Sequence, residues 1–303
     1  MKALVIGGSG LVGGALLRAL TAAGHSPVAT YRARPGPNLI QLDVVDSRAV
    51  RSVVDEVHPD VVFLTAALTA VDYCEEHEAE ARSINVGGAG AAAEAARAVG
   101  ARLVYYSTEY VFDGAKTDGP YGEDDPVSPV GVYARSKADG EQAVRDATDD
   151  HLIVRTTVVF GWDRASKNFA MQVWDRLSGG EHMRVPSDQI GNPTLADFLA
   201  ETSVELIARG VAGESVNVVG RDRVARTALG KRLARRLGLD ESLIEPVTTP
   251  DLHQRAPRPL NAGLKTEKLA AMLGRPAISL DGALDRFLAR KAIEAPSQLA
   301  GEC

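Results

Sequence analysis

Tyr133 and Lys137 stand four residues apart in VYARSKADGE, just after a loop rich in proline and glycine. On a helix, positions i and i+4 share a face. A tyrosine hydroxyl ordinarily has a pKa of about 10, too high for ready proton exchange at neutral pH. A nearby ammonium favours the phenolate and lowers that value. A phenol tuned in this way can protonate the oxygen of a carbonyl that receives hydride. A second hydroxyl would orient that oxygen, and VYYSTEYVFDG supplies Ser107 and Thr108 at the end of an apolar run. Taken alone, Y-x-x-x-K arises commonly by chance and most often belongs to a surface helix, so the rest of the chain has to choose.

A hydride donor needs its own site. VIGGSGLVGGALLRAL places Gly7, Gly10 and Gly13 between an apolar run and a helical pattern. This is the setting of a dinucleotide-binding turn: Gly7 permits the tight turn, Gly10 admits a pyrophosphate, and Gly13 allows close helix–strand packing. The pyrophosphate would then sit at the helix N-terminus. The spacing is G-x-x-G-x-x-G. The second apolar run ends in VATYRARPG, which has no acid and carries Arg32 and Arg34. A carboxylate would repel a 2′-phosphate, whereas an arginine can pair with it. NADP(H) is therefore favoured over NAD(H), with Arg32 the preferred partner and Arg34 read nearly as well as a solvated loop residue.

These residues require a scaffold. Short apolar runs at Ala3–Gly7, Pro27–Tyr31, Leu39–Leu42, Val61–Ala66, Leu103–Ser107 and Leu152–Val159 read as strands buried on both faces. Helical patterns over Gly10–Ala23, Ser47–Val57, Ile84–Val99 and Tyr133–Arg145 alternate with them. A βαβα order predicts an α/β fold, a doubly wound parallel sheet of the Rossmann type. The pattern loosens after Gly161. The expectation is a dinucleotide-binding domain over 1–160 and a smaller C-terminal substrate-binding lobe over 161–294. Some later segments return to the sheet, and a flexible tail spans 295–303.

The bulk composition narrows the function. The chain has 303 residues, 45% hydrophobic and 24% charged, with a net charge of −6. That balance argues against general nucleic-acid binding. No apolar run approaches the ~20 residues of a membrane span, and the start reads as a strand rather than a signal peptide. Two cysteines imply no disulfide framework and fit a cytoplasmic setting. The six histidines show no H-x-x-x-H spacing, so no metal site is expected. Cys74 reads as a buried structural thiol, and Asn85 as a helix-capping residue. The basic stretch Gly220–Gly238 carries leucines every fourth residue and reads as an amphipathic helix with a solvated charged face. Alternatively, one or two of its arginines reach a diphosphate. Arg258, between two prolines, reads either as a cleft residue or as a loop residue.

With the glycine loop, the Ser-Thr pair and Y-x-x-x-K in this order, the chain resembles the extended short-chain dehydrogenase/reductases. It is most similar to the group holding dTDP-4-dehydrorhamnose reductase and the regulatory β subunit of methionine adenosyltransferase. The matching stretches are GGSGLVGG, AALTAVDYCEEHEAEARSINVGG, YYSTEYVFDG, PYGEDDPVSPVGVYARSKADGE, DQIGNPT and RPLNAGLKTEKL. The resemblance implies a cytoplasmic oxidoreductase of deoxysugar biosynthesis that reduces a nucleotide-diphosphate 4-keto-sugar with NADPH, and a family that often forms homodimers. It also implies roles for individual residues. Thr108 is the catalytic hydroxyl, Tyr133 the proton donor, and Lys137 both tunes the tyrosine and holds the nicotinamide ribose. Gly10, Leu11 and Val12 match the pyrophosphate loop, Asp43 and Val44 the pair beside adenine, and Thr65, Ala66 and Ala67 the cofactor wall. Val71, Thr108, Glu109, Val158 and Arg258 fall to the substrate. The chain departs from the family at Glu109, where an aspartate is usual, at Val158, often a tryptophan, and at Leu68, a tyrosine; all three are expected in the sugar pocket. The regulatory subunit keeps Y-x-x-x-K, so a non-catalytic NADP-binding subunit of a partner enzyme is the alternative reading.

Overall fold

The computed structural model describes residues 1–117 and 119–294; the tail expected over 295–303 lies outside them. Seven strands form one parallel sheet: β1 (Ala3–Ile6), β2 (Val28–Tyr31), β3 (Leu39–Gln41), β4 (Val61–Leu64), β5 (Arg102–Thr108), β6 (His151–Thr156) and β7 (Glu214–Asn217). Their order is β7-β6-β5-β4-β1-β2-β3. The chain winds outward from β1 through β2 to β3, then returns to place β4 on the other side of β1. That reversal opens a crevice at the carboxyl ends of β1 and β4, where such sheets bind ligands.

Alternation along each strand divides the core. Ala3, Val5, Phe63, Val104, Tyr106, Leu152 and Val154 face one hydrophobic layer. Leu4, Ile6, Val62, Leu64, Leu103, Tyr105 and Ile153 face the other. The runs appear continuous in sequence because both faces are covered. The first layer also contains Phe198, Leu199, Leu229, Leu233, Leu284 and Phe287. The hydrophobic core is thus shared between the sheet and segments far along the chain. The second layer is covered by α2 (Ser47–Val57) and α3 (Gly88–Ala98). On the first, α1 (Leu11–Ala22) packs against the helix Ala196–Ala208, tied by Arg18–Asp197 at 2.6 Å.

Two expected elements differ in detail. The run Leu152–Val159 does not form one strand. β6 stops at Thr156, Val158 takes a left-handed φ of 44°, and Val159–Phe160 pairs with Thr194–Leu195. A positive φ is costly for a β-branched residue, so this is a strained kink held by its surroundings. The helix expected from Ile84 opens with a π-helical turn, Ser83–Gly87, before α3. Glu214–Asn217 forms the edge strand beside β6.

Beyond β6, two short ladders frame the crevice. Met183–Pro186 pairs with Ile244–Val247, and Ile190–Gly191 with Val224–Ala225. They lead into the helix Arg226–Leu237, which buries Leu229 and Leu233. Its other basic residues mostly meet acids: Arg232 and Arg236 face Asp281, and Arg235 faces Glu241.

The helix α4 (Gly131–Ala147) carries Tyr133 and Lys137 and lies against the second layer. Gly140 makes that approach possible. A Cβ there would stand 2.3 Å from the Tyr105 hydroxyl and 2.4 Å from the Asn85 carbonyl. Gly140→Ala therefore overpacks this contact, at about 1–3 kcal/mol, and should lower the melting temperature by about 5 °C. An unchanged melting curve would show that the helix is not held so closely.

Candidate active site

Three strand ends supply the crevice floor. At β1, Gly7 takes a φ of 97°, and a Cβ on it would stand 2.7 Å from Thr65 Oγ1. At β4, Thr65 donates its hydroxyl hydrogen to the carbonyls of Ile6 and Gly7, 3.0 and 3.1 Å away. At β5, Thr108 caps the turn that follows, its Oγ1 accepting from Tyr110 N at 3.2 Å. Gly10 is the N-cap of α1 and provides no side-chain cap. The N–H groups of Leu11, Val12 and Gly13 therefore have no acceptor within the helix and line the crevice. Gly13 allows the turn to close: a Cβ there would stand 2.2 Å from Gly7 O. A glycine cradle and a bare helix N-terminus suit the diphosphate of a dinucleotide.

The helix α4 brings in Tyr133 and Lys137. Its first turn is anchored by Val132 N, which donates to Glu75 Oε2 at 2.9 Å. Tyr133 is buried and meets Tyr110 edge-on, with centroids 5.5 Å apart. Lys137 is 2% exposed. Its Nζ donates to Tyr106 O at 2.8 Å and lies 4.0 Å from the centre of the Tyr105 ring. Asn85 braces the arrangement. It accepts from Leu68 N at 2.8 Å and donates to Leu68 O at 3.0 Å and to Ser136 Oγ at 2.9 Å. It lies inside the π-helical turn and ties α4 to the loop after β4, so the capping role expected for it is replaced by a tether. Leu68 is held by the same tether. Its side chain packs toward Cys74, Val132 and Tyr133 and does not line the crevice, contrary to the sugar-pocket position expected for it.

One cleft of about 570 Å³ gathers most of the expected residues: Gly10, Leu11, Val12, Gly13, Thr65, Ala67, Val71, Thr108, Glu109, Tyr133, Lys137 and Val158. Ala66 turns toward the second core layer. Val44 is buried there beneath Gly88, leaving only its backbone for a ligand, and Asp43 is exposed and accepts from Val45 N. Arg32 is exposed. Arg34, not Arg32, lines a small cavity beside Gly8 and Ser9, where it faces Asp163 at 3.7 Å. Sequence reasoning did not single out Thr69, Tyr110, Thr157 or Lys167 as site residues. Arg226 was weighed only as one of a basic series, yet it is the member of that series that enters the cleft. Thr69, Val71, Tyr110, Lys167 and Arg226 also border a second cleft of about 550 Å³ with Arg184 and Arg258. The Arg258 side chain is 7% exposed and pairs with Asp72 at 2.8 Å, while its Nη1 is buried without a partner.

The electrostatics differ from the expected tuning. Burial pushes the Tyr133 phenol above its ordinary value, the Glu109 carboxyl adds to the rise, and hydrogen bonding with Thr108 opposes it. Lys137 is not among the larger effects on it. Burial instead lowers Lys137 from 10.5 to about 7, with Glu141 opposing. In the protein alone, desolvation is the largest effect on both groups.

A doubly wound sheet with this glycine turn and a Thr–Tyr–Lys group in one cleft defines an extended short-chain dehydrogenase/reductase. Residues 1–293 match the model of the RmlD substrate binding domain, and the chain belongs to that family. A probable low-salt glycan biosynthesis reductase of Haloferax volcanii is 34% identical over 280 residues, 90% of this chain and 93% of the relative. The dTDP-4-dehydrorhamnose reductase of Mycobacterium tuberculosis is 35% identical over 254 residues, 81% of this chain and 82% of the relative. The crystal structure of the Bacillus anthracis dTDP-4-dehydrorhamnose reductase in complex with NADP superposes with a TM-score of 0.87. It is 27% identical and covers 95% of this chain and 99% of that one.

The lysine gives a test. Its folded pKa of about 7 lies below its ordinary 10.5. The unfolded chain therefore binds more protons between those values, and this group makes stability rise with pH across that window. Below it the full penalty of a buried ammonium remains. Lys137→Met should raise the melting temperature at about pH 6 and lose most of that gain by about pH 10. An equal gain at both pH values would contradict the assignment.

Proposed function

We propose that this protein reduces the 4-keto group of a nucleotide-diphosphate deoxysugar, as a dTDP-4-dehydrorhamnose reductase does, with NADPH. The observation that carries this reading is the meeting of Tyr133, Thr108 and Lys137 in the cleft that the α1 N-terminus borders. The cofactor, when bound, supplies the hydride for the carbonyl carbon. The backbone N–H groups of Leu11 to Gly13 hold its diphosphate, and Thr65 and Ala67 form the wall beside it. Arg34, with Arg32 two residues before it, provides cationic partners for a 2′-phosphate, and Asp43 and the Val44 backbone flank adenine. Tyr133 delivers a proton to the carbonyl oxygen, and Thr108 fixes that oxygen's position. Lys137 would hold the ribose hydroxyls of the bound cofactor and supply positive charge to the site.

The second cleft suits the substrate's nucleotide end. Arg184, Arg226, Arg258 and Lys167 offer four cationic groups there. The unpartnered Nη1 of buried Arg258 is a donor that a phosphate oxygen would satisfy. Val71 and Val158 line the space between this cleft and Tyr133 for the sugar. The regulatory-subunit reading gains nothing from these features, since the curated relatives with known names include reductases. No helix among the described residues is long and apolar enough to cross a membrane. A nucleotide-sugar substrate and a chain with two cysteines suit the cytoplasm.

The test is NADPH oxidation with a panel of dTDP-4-keto-sugars. Tyr133→Phe should lower turnover by about 10²–10⁴-fold while cofactor binding, read by NADPH fluorescence, stays near the wild-type value. Unchanged turnover in that variant, or tight NADPH binding with no substrate reduced by the wild type, would contradict the proposal. Arg34→Ala should raise the KM for NADPH by roughly tenfold and leave that for NADH little changed, the signature of a lost charge-assisted contact to phosphate.

A further inference from the structure

Thr108 presents a problem of hydrogen count. A threonine hydroxyl has one hydrogen to donate. Here Thr108 Oγ1 donates it to Glu109 Oε2 at 2.7 Å and accepts from Tyr110 N at 3.2 Å. Its interaction with Tyr133 favours the phenolate. Arranged this way, with Glu109 ionised, Thr108 has nothing left to donate to a substrate oxygen. The other carboxyl oxygen, Glu109 Oε1, accepts from Thr157 Oγ1 at 2.7 Å. Thr157 is 2% exposed. Its hydroxyl has no other hydrogen-bond partner among the described residues, so its hydrogen stays on Oε1. The oxygen facing Thr108 is therefore the one that can carry a proton.

We propose that Glu109 works as a neutral acid: its Oε2 hydrogen is donated to Thr108, which frees the Thr108 hydrogen for the substrate's carbonyl oxygen. The inference rests on the reductase reading and adds a positioning residue to it. The chain of donors runs from Glu109 to Thr108 to the carbonyl, with Thr157 anchoring the far side of the carboxyl group. Glu109 keeps its proton throughout, and Tyr133 remains the group that gives one up. The departure from aspartate then has a purpose. The longer side chain reaches Thr157 and lies 7% exposed at the cleft floor, rather than extending toward the sugar as the resemblance implies.

The surroundings fit a neutral carboxyl. Among the described residues, no lysine, arginine or histidine nitrogen lies within ion-pair distance of Glu109. Arg226, across the cleft, is the cation acting on it, and burial, the largest effect, pushes it upward. Tyr133 and Lys137 from α4, and Tyr110 beside it in the chain, line the same cleft. Arg258 and Asp72 act one step further away, on Tyr110. An ionised Glu109 would also raise the Tyr133 phenol, so the neutral form serves both partners.

Glutamine tests this directly, because its amide N–H can replace the acid hydrogen toward Thr108 while its carbonyl accepts from Thr157. With the full-length protein and a keto-sugar that the wild type reduces, Glu109→Gln should keep kcat within about threefold. Glu109→Ala should lose about 10²-fold, as expected when an oxyanion donor is mispositioned. The fall in wild-type kcat/KM that accompanies Glu109 ionisation at high pH should be absent from Glu109→Gln. Infrared difference spectra of wild type minus Glu109→Gln, without ligands at about pH 7, should contain the carbonyl stretch of a protonated carboxylic acid. A carboxylate signal alone, or a glutamine variant as impaired as the alanine one, would overturn the proposal. A wild type that reduces no keto-sugar would refute the reductase reading and leave the infrared result to stand separately.

Discussion

The site is organised around one buried ammonium and the backbone carbonyl that receives it. Lys137 Nζ reaches Tyr106 O at 2.8 Å, and this contact joins the helix that carries Tyr133 to the strand that ends in Thr108. Burying an ammonium with one hydrogen-bond acceptor and one aromatic face costs free energy, which is visible as its lowered pKa. Hydrogen-bonding to the charged form would reverse the shift, so hydroxyl-bearing ligands at this position are favoured. The same burial keeps the Tyr133 phenol protonated. The resting protein therefore holds an acid that has not yet given up its proton beside a lysine that titrates near neutrality.

The supporting structure keeps that pair from moving. Gly140 lets α4 approach Tyr105 and Asn85 closely. Asn85 spends its side-chain amide on Leu68 and Ser136. Behind it, Glu141 accepts from Ser107 and from Arg155, at 2.6 Å and 2.8 Å. A buried ion pair of this kind is weak evidence for stability but strong evidence for a fixed geometry, since removing either partner strands a charge. Both α4 and β5 are thus pinned at two levels, beneath the acid–base pair and within it.

The sequence read well where local rules and tertiary structure agree. The β1 turn, Thr108 and Y-x-x-x-K were legible because each combines a residue type with a required position on a strand end or helix face. The kink at Val158 was not, since TTVV has the composition of an unbroken strand and the strain is imposed by contacts from residues far along the chain. Arg226 was hidden in a basic helix whose other members meet solvent or acids. The titration behaviour of Tyr133 and Lys137 was inverted for a similar reason: spacing shows that two groups are near, but not how deeply they are buried. The two hydroxyls that hold the Glu109 carboxyl group lie far apart in the chain, and no motif announces Thr157.

In the proposed reaction, Tyr133 and Thr108 together hold the oxygen of the ketone being reduced. A crystal structure of the protein with NADP and a nucleotide-linked sugar would test it most directly. The Tyr133 and Thr108 hydroxyls should each lie within about 3 Å of the sugar's C4 oxygen, with the nicotinamide ring on the adjacent face of C4 at about 3.5 Å. A sugar bound with its C4 oxygen away from Tyr133, or a nicotinamide ring outside the cleft above Lys137, would contradict it.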